Sequence, residues 1–93
     1  MTYSVTATPR VEREVAGLPA EVRKSVYAAF ALLRENPRPP GAKKLQGDLA
    51  RYYRLRVEDH RMAYSVDDRT RTVTVWHIGD RNHFYEEVRR LRG

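Results

Sequence analysis

The chain contains no cysteine. A disulfide framework and a cysteine-based zinc site are therefore both excluded. No apolar run approaches the roughly 20 residues of a membrane-spanning helix, and the start, Met1-Thr2-Tyr3-Ser4, lacks the basic-then-apolar pattern of a secretion signal. These absences point to a cytoplasmic protein with no membrane partner. Histidine is scarce: His60, His77 and His83 share no HxH or HExxH spacing, so neither a metal nor another cofactor is expected. With 93 residues there is room for a single domain, 1–93, built around a thin core.

Carboxylates are also in short supply. The 12 Asp and Glu face 18 Lys and Arg, which leaves a formal charge of +6 and a pI of about 10.1. Such an excess suits an anionic partner: nucleic acid, an acidic protein or a membrane surface. Most of the positive charge is arginine, whose planar guanidinium grips phosphate with two parallel hydrogen bonds and never deprotonates near neutrality. A basic surface that serves only solubility is equally compatible with the composition.

Along the chain, Tyr3 to Thr8 is rich in aromatic and β-branched residues and reads as a short strand. Thr8-Pro9 then looks like an N-cap followed by proline at the first helical position. Val11, Val15 and Leu18 follow at helical spacing. A second helix is expected from Pro19 to about Asn36, with Val22, Val26, Ala29 and Leu33 as its apolar stripe and Tyr27 and Phe30 widening it. Asn36-Pro37 ends it, since a residue before proline is pushed out of the α region. Pro37 to Gly41 forms a stiff connector. Three strand-like runs come next, Arg51 to Val57, Arg61 to Asp67 and Thr72 to Ile78, with turns at Glu58-Asp59 and at Asp67 to Arg71. They predict an antiparallel meander, ended by Gly79. Asn82 to Arg92 can form a last helix with Phe84, Val88 and Leu91 on one side. The fold class is α+β, in the order β-α-α-β-β-β-(α), with the two N-terminal helices packed on one sheet face and a short C-terminal helix.

The first hairpin carries the chemistry. Strand side chains alternate faces. If Glu58-Asp59 is a two-residue turn, Arg56 lies opposite Arg61, Leu55 opposite Met62, and Tyr53 opposite Tyr64. The core face is then Tyr53, Leu55, Val57, Met62, Tyr64 and Val66, and the other face gathers Arg54, Arg56 and Arg61. Like charges opposed across a sheet are destabilising, and acids on that face are few, which favours an external phosphate. A solvated charged face fits the same residues. Trp76 shares the parity of the arginine face if the second hairpin keeps an even loop. There it could stack on a base or an arginine, although a strand tryptophan more often belongs to the core.

A second constellation is Gly79-Asp80-Arg81-Asn82-His83-Phe84-Tyr85. Arg81 and Tyr85 stand i, i+4 and share a face if the helix begins near Arg81. A regular helix points His83 elsewhere, and taken alone it reads as a surface histidine.

The ordered series Lys44-Leu45-Gln46-Gly47, Tyr53-Arg54-Leu55-Arg56-Val57, His60-Arg61-Met62-Ala63-Tyr64-Ser65-Val66-Asp67, Ile78-Gly79-Asp80-Arg81 and Tyr85 resembles the RelE/ParE toxins of bacterial type II toxin–antitoxin pairs, and within them the RelE-like branch. No single motif is strong; the series is. The resemblance implies a ribosome-dependent endoribonuclease that cuts messenger RNA in the A site by metal-independent attack of the ribose 2′-hydroxyl. It implies catalytic roles for Arg61, Arg81 and Tyr85, and RNA binding by Arg54, Arg56, Lys43 and Lys44. Arg54 and Arg56 stand where that branch often has lysines; an arginine gives up a proton less readily, so these two look electrostatic. Arg61 and Arg81 suit the developing phosphorane charge. Tyrosine ordinarily titrates at about 10 and adjacent cations favour its phenolate, so the arginines have two tasks, holding phosphate and activating Tyr85. His83 is the second candidate for the acid or base.

The partners implied are a cognate antitoxin, the ribosome and mRNA. Operator DNA would be bound by the toxin–antitoxin complex through the antitoxin. Two alternatives stay open: a ParE-like gyrase inhibitor of the same fold, and a basic RNA-binding module without catalysis.

Overall fold

The computed structural model describes residues 2–92. Strand β1 (Ser4–Ala7) leads into helix α1 (Pro9–Ala16). Thr8 caps that helix, its hydroxyl oxygen accepting from the Val11 N–H at 3.3 Å, and Pro9 occupies the first turn. Helix α2 (Ala20–Glu35) follows. A two-residue strand β2 (Lys43–Lys44) and a single 3-10 turn (Gly47–Leu49) bridge to β3 (Tyr53–Val57), β4 (His60–Asp67) and β5 (Thr72–Asp80), and helix α3 (Phe84–Arg92) closes the chain.

The sheet order is β1-β5-β4-β3-β2. The expected meander is its centre, and the hairpin register is the one deduced from the sequence: Tyr53 opposite Tyr64, Leu55 opposite Met62, Arg56 opposite Arg61. Two features were not anticipated. β1 pairs with β5 in parallel, which makes the sheet mixed, and β2 extends the other edge by pairing with β3.

One sheet face carries α1 and α2. Val11, Val15, Val26 and Leu33 pack there on Leu55, Val57, Met62, Tyr64, Val73 and Val75. Each such buried side chain contributes roughly 1.5–3 kcal/mol. Tyr64 also sends its hydroxyl to the Pro37 carbonyl, 2.8 Å away, and so pins the connector. The opposite face carries α3, with Phe84 and Val88 seated on Leu45, Leu49, Tyr52 and Ala63.

Two expectations are corrected. Tyr27 does not widen the buried stripe of α2. It is 58% exposed and meets the Phe30 ring edge-on. Each helical residue turns roughly 100°, and Tyr27 falls outside the arc that Val26, Ala29 and Leu33 present to the sheet. Nor does Gly79 break the last strand. β5 continues to Asp80, pairing Gly79 with Arg61 and Asp80 with His60. Glycine is needed at 79 for another reason: a Cβ there would stand 2.8 Å from His77 Nε2.

A bulge in β5 decides which side chains reach α3. Ala63 pairs with His77 and Tyr64 with Val75, so Trp76 is the extra residue. A bulge re-aims the side chains after it. Val75 faces the first core, Trp76 packs against the second, and His77 turns toward α3, where its ring stacks on Phe84 at 5.8 Å. Trp76 does share the arginine face. Its indole N–H donates to Ser65 Oγ at 2.8 Å, and the Arg51 guanidinium lies 5.5 Å from its ring centre.

Candidate active site

The α3 side of the sheet presents two neighbouring cross-strand rows. Lys43, Arg54, Ala63 and His77 form one, and Arg56, Arg61 and Gly79 the other. Ala63 is small enough for Phe84 to sit over the sheet, so α3 covers one end of the first row and leaves its basic end open.

Two clefts result. The first, about 360 Å³, is lined by Lys43, Lys44, Leu45, Gln46, Leu49 and Arg54 from the sheet side, and by Tyr85 and Arg89 from α3. The second, about 330 Å³, is lined by Arg56, Asp59, His60, Arg61 and Arg81. Arg56 is partly engaged: its Nε donates to the Glu58 carbonyl at 3.0 Å, and Asp59 lies 3.9 Å from its terminal nitrogen. Among the described residues, no carboxylate lies within ion-pair distance of Lys43, Lys44, Arg54, Arg61, Arg81 or Arg89. Unpaired cations held side by side are an electrostatic cost unless an anion joins them. Among the same residues, no three His, Asp or Glu side chains converge as a metal-binding set.

The structure thus brings Tyr85 together with Lys43, Lys44 and Arg54, and Arg61 together with Arg81 and Arg56. The expected pairing of Arg81 with Tyr85 on one helix face is not formed. Asp80 Oδ1 accepts the N–H groups of Asn82 (3.0 Å) and His83 (3.3 Å) and holds a turn, so α3 starts only at Phe84. Arg81 is left on the Arg61 side and Tyr85 enters the other cleft. His83 lines neither cleft; its side chain is 70% exposed and its Nδ1 lies 3.6 Å from Asp80.

Three features escaped the sequence reading. Arg89 stands four residues after Tyr85 and projects into the same cleft, a spacing that the helix itself predicts. His60 lines the second cleft, and its Nδ1 is buried without a hydrogen-bond partner among the described residues. The third is a polar cluster of residues remote in sequence. Glu14 on α1 accepts from Arg10 Nε at 3.0 Å and from the Ile78 N–H at 2.9 Å. His77 Nδ1 donates to Glu14 Oε2 at 2.7 Å, since an ionised carboxylate only accepts. Arg10 also donates to Glu87 on α3 at 2.5 Å, and Glu87 pairs with Arg90. Burial alone would push the Glu14 carboxyl up. The bonds from His77, Ile78 and Arg10 outweigh it and hold the group below the usual carboxylate range. The Arg10 hydrogen bond does the same for Glu87.

A basic, helix-flanked sheet face on this β-α-α-β-β-β-α framework defines the class: the small α+β toxins of toxin–antitoxin pairs. Residues 5–85 match the family of ParE toxins of type II toxin-antitoxin systems, parDE. The chain belongs to that family, within the RelE/ParE superfamily.

Solved structures agree in fold. A chain of the RelBE2 toxin–antitoxin complex of Mycobacterium tuberculosis is 28% identical, with a TM-score of 0.78 over 87% of this chain and 100% of that one. A chain of the archaeal RelE–RelB complex from Pyrococcus horikoshii is 25% identical, with a TM-score of 0.75 over 88% and 98%. A double arginine-to-alanine mutant of Escherichia coli RelE in the free state is 25% identical, with a TM-score of 0.78 over 97% and 93%. By sequence alone, no curated protein matches. No helix among the described residues is long and apolar enough to cross a membrane.

Proposed function

We propose that this toxin is a ribosome-dependent endoribonuclease that cuts mRNA in the A site. The observation that carries the reading is the first cleft, where Tyr85 of α3 shares the lining with Lys43, Lys44, Arg54 and Arg89, none of them paired with a carboxylate among the described residues. In its phenolate form Tyr85 can take a proton from a ribose 2′-hydroxyl while the cations of the cleft hold the adjacent phosphate. The 2′-oxygen then bonds to phosphorus, the bond from phosphorus to the 5′-oxygen breaks, and that oxygen takes up a proton from water, which the Tyr85 phenol makes good as it returns to its starting form. The products are a 2′,3′-cyclic phosphate and a 5′-hydroxyl. Arg61 and Arg81 stabilise charge on the phosphate backbone from the second cleft, and Arg56 assists them. Among the described residues no histidine or carboxylate lines the Tyr85 cleft, which fits an enzyme whose substrate is aligned by a larger partner, the ribosome. A cognate antitoxin is the expected protein partner, by analogy with the RelB-bound neighbours.

A second reading is gyrase inhibition. It is favoured by the ParE identity of the matching family and by the separation of Arg61 and Arg81 from the Tyr85 cleft. Primer extension on a defined message in a reconstituted translation system separates the two. The expected result is A-site cleavage by wild type, loss of about 100-fold or more in both Arg61→Ala and Tyr85→Phe, and none without ribosomes. Intact message with continued translation would reject the nuclease and direct the test to DNA supercoiling by gyrase.

A further inference from the structure

The polar cluster under α3 has a geometry that the clefts alone do not explain. It rests on α1, β5 and α3, three elements far apart in sequence, and it lies away from the basic clefts. Its side chains are substantially withdrawn from water, with Glu14 22% and His77 6% exposed. Half-buried ionic groups are a poor way to gain stability, because desolvation offsets much of the attraction. They do impose direction, which apolar contacts do not. Phe84, Val88 and Leu91 give α3 its affinity for the sheet but leave its rotation and slide loosely defined.

The contacts run in one line toward the site. Glu14 holds His77 at 2.7 Å, the His77 ring stacks on Phe84 at 5.8 Å, and the Phe84 ring packs edge-to-face on Tyr85 at 5.2 Å. Gly79 leaves room for the imidazole. One turn along α3, Glu87 is tied to Arg10, which is tied to the same Glu14. Among the described residues, Tyr85 and Arg89 are the only ones of α3 that line the first cleft, and the rest come from β2, β3, the 3-10 turn and the link between β2 and that turn. The width of that cleft is therefore set by where α3 docks.

We propose that Glu14 is a positioning residue for Tyr85, acting through His77 and Phe84, with Arg10 and Glu87 closing the same clasp from α3. This rests on the nuclease reading only for its effect on turnover; the docking of α3 is testable without it. A displacement of about 1 Å at a reacting group lowers turnover on the order of 100-fold. RNA binding by the sheet cations is untouched, so kcat falls while KM stays.

The test uses the full chain with Glu14→Ala, Glu14→Gln and Glu87→Ala. Steady-state cleavage on programmed ribosomes is read beside amide hydrogen exchange of α3, with Met62 and Val73 as core references. The expected result is a 10- to 100-fold fall in kcat at constant KM for Glu14→Ala. Val88 and Leu91 amides lose protection while the core amides keep theirs, and Glu14→Gln, which can still accept from Ile78, recovers part of both. Glu87→Ala, a change at a side chain 25% exposed and outside the apolar core, repeats the α3 effect if Glu14→Ala does not fold. Unchanged α3 protection in folded Glu14→Ala and Glu87→Ala overturns the clasp, whatever the activity. Lost α3 protection in variants of a wild type that does not cleave supports the clasp and rejects the nuclease instead. A fall in kcat with equal loss of protection throughout the core reduces Glu14 to a general structural role and overturns the proposal.

Discussion

Gly79→Ala probes whether the glycine after the last core strand residue is there for its backbone or for its missing side chain. Gly41 and Gly47 have positive φ; Gly79 does not. An alanine at 79 therefore adopts the native backbone without strain and, by restricting the unfolded chain, would stabilise by about 0.4–1 kcal/mol. The side chain opposes this. Its Cβ would lie 2.8 Å from His77 Nε2 and 3.0 Å from Cε1, where contact is comfortable only near about 3.5 Å. The ring cannot simply retreat, because Glu14 holds Nδ1 and Phe84 covers the face. Overpacking of this kind costs about 1–3 kcal/mol, so the net expectation is a destabilisation of about 1–2 kcal/mol. For a domain of this size that is a fall in Tm of roughly 5–15 °C. Thermal and urea unfolding should be measured in wild type and in a His77→Ala background. With the ring gone, Gly79→Ala should become neutral or stabilising. An equal penalty in both backgrounds, or a gain in wild type, would refute the collision as the reason for the glycine.

Burial raises the Tyr64 hydroxyl to about 12, with Tyr53 adding to the shift and Arg38 opposing it. Its folded value lies above the unfolded one, so its contribution is complete below about pH 10 and is lost as pH rises toward 12; the alkaline unfolding midpoint of Tyr64→Phe should show less dependence on pH in that window. Glu14 and Glu87 are shifted the other way. Their contribution is present above the unfolded value of about 4.3 and disappears as pH falls through the depressed folded values. Fluorescence of Trp76, the only tryptophan, packed in the α3 cluster, should therefore change on acidification before far-UV ellipticity is lost, and coincident transitions would contradict an acid-labile clasp. Leu33→Ala, at a fully buried site, should cost about 2–5 kcal/mol, whereas Tyr27→Ala should stay within about 0.5 kcal/mol; similar losses in urea titrations would show that Tyr27 is covered in solution.

Local physics made much of the molecule readable from the amino-acid order. Thr8-Pro9 marks a helix start because a hydroxyl cap and a missing N–H both suit a first turn. The alternation in Tyr53 to Val57 and the two-residue turn at Glu58-Asp59 leave one register that buries Leu55 and Met62 together, so the face holding Arg54, Arg56 and Arg61 follows from them. The spacing of Phe84, Val88 and Leu91 likewise marks the inner side of α3.

Tertiary structure decided what depends on residues distant in sequence. The division of the basic residues into two clefts comes from the Asp80 turn, which delays α3 to Phe84 and parts Arg81 from Tyr85. Tyr27 is outside because α2 has a limited arc to bury, and that arc is fixed by the sheet beneath it. The turning of His77 toward Phe84 comes from one extra residue in β5, which local alternation cannot foresee because it arises from pairing with β4. Nothing in the local sequence sets Glu14 and Glu87 apart from the other helix carboxylates. They become a clasp only when parallel pairing of β1 with β5 carries α1 alongside the strand that precedes α3.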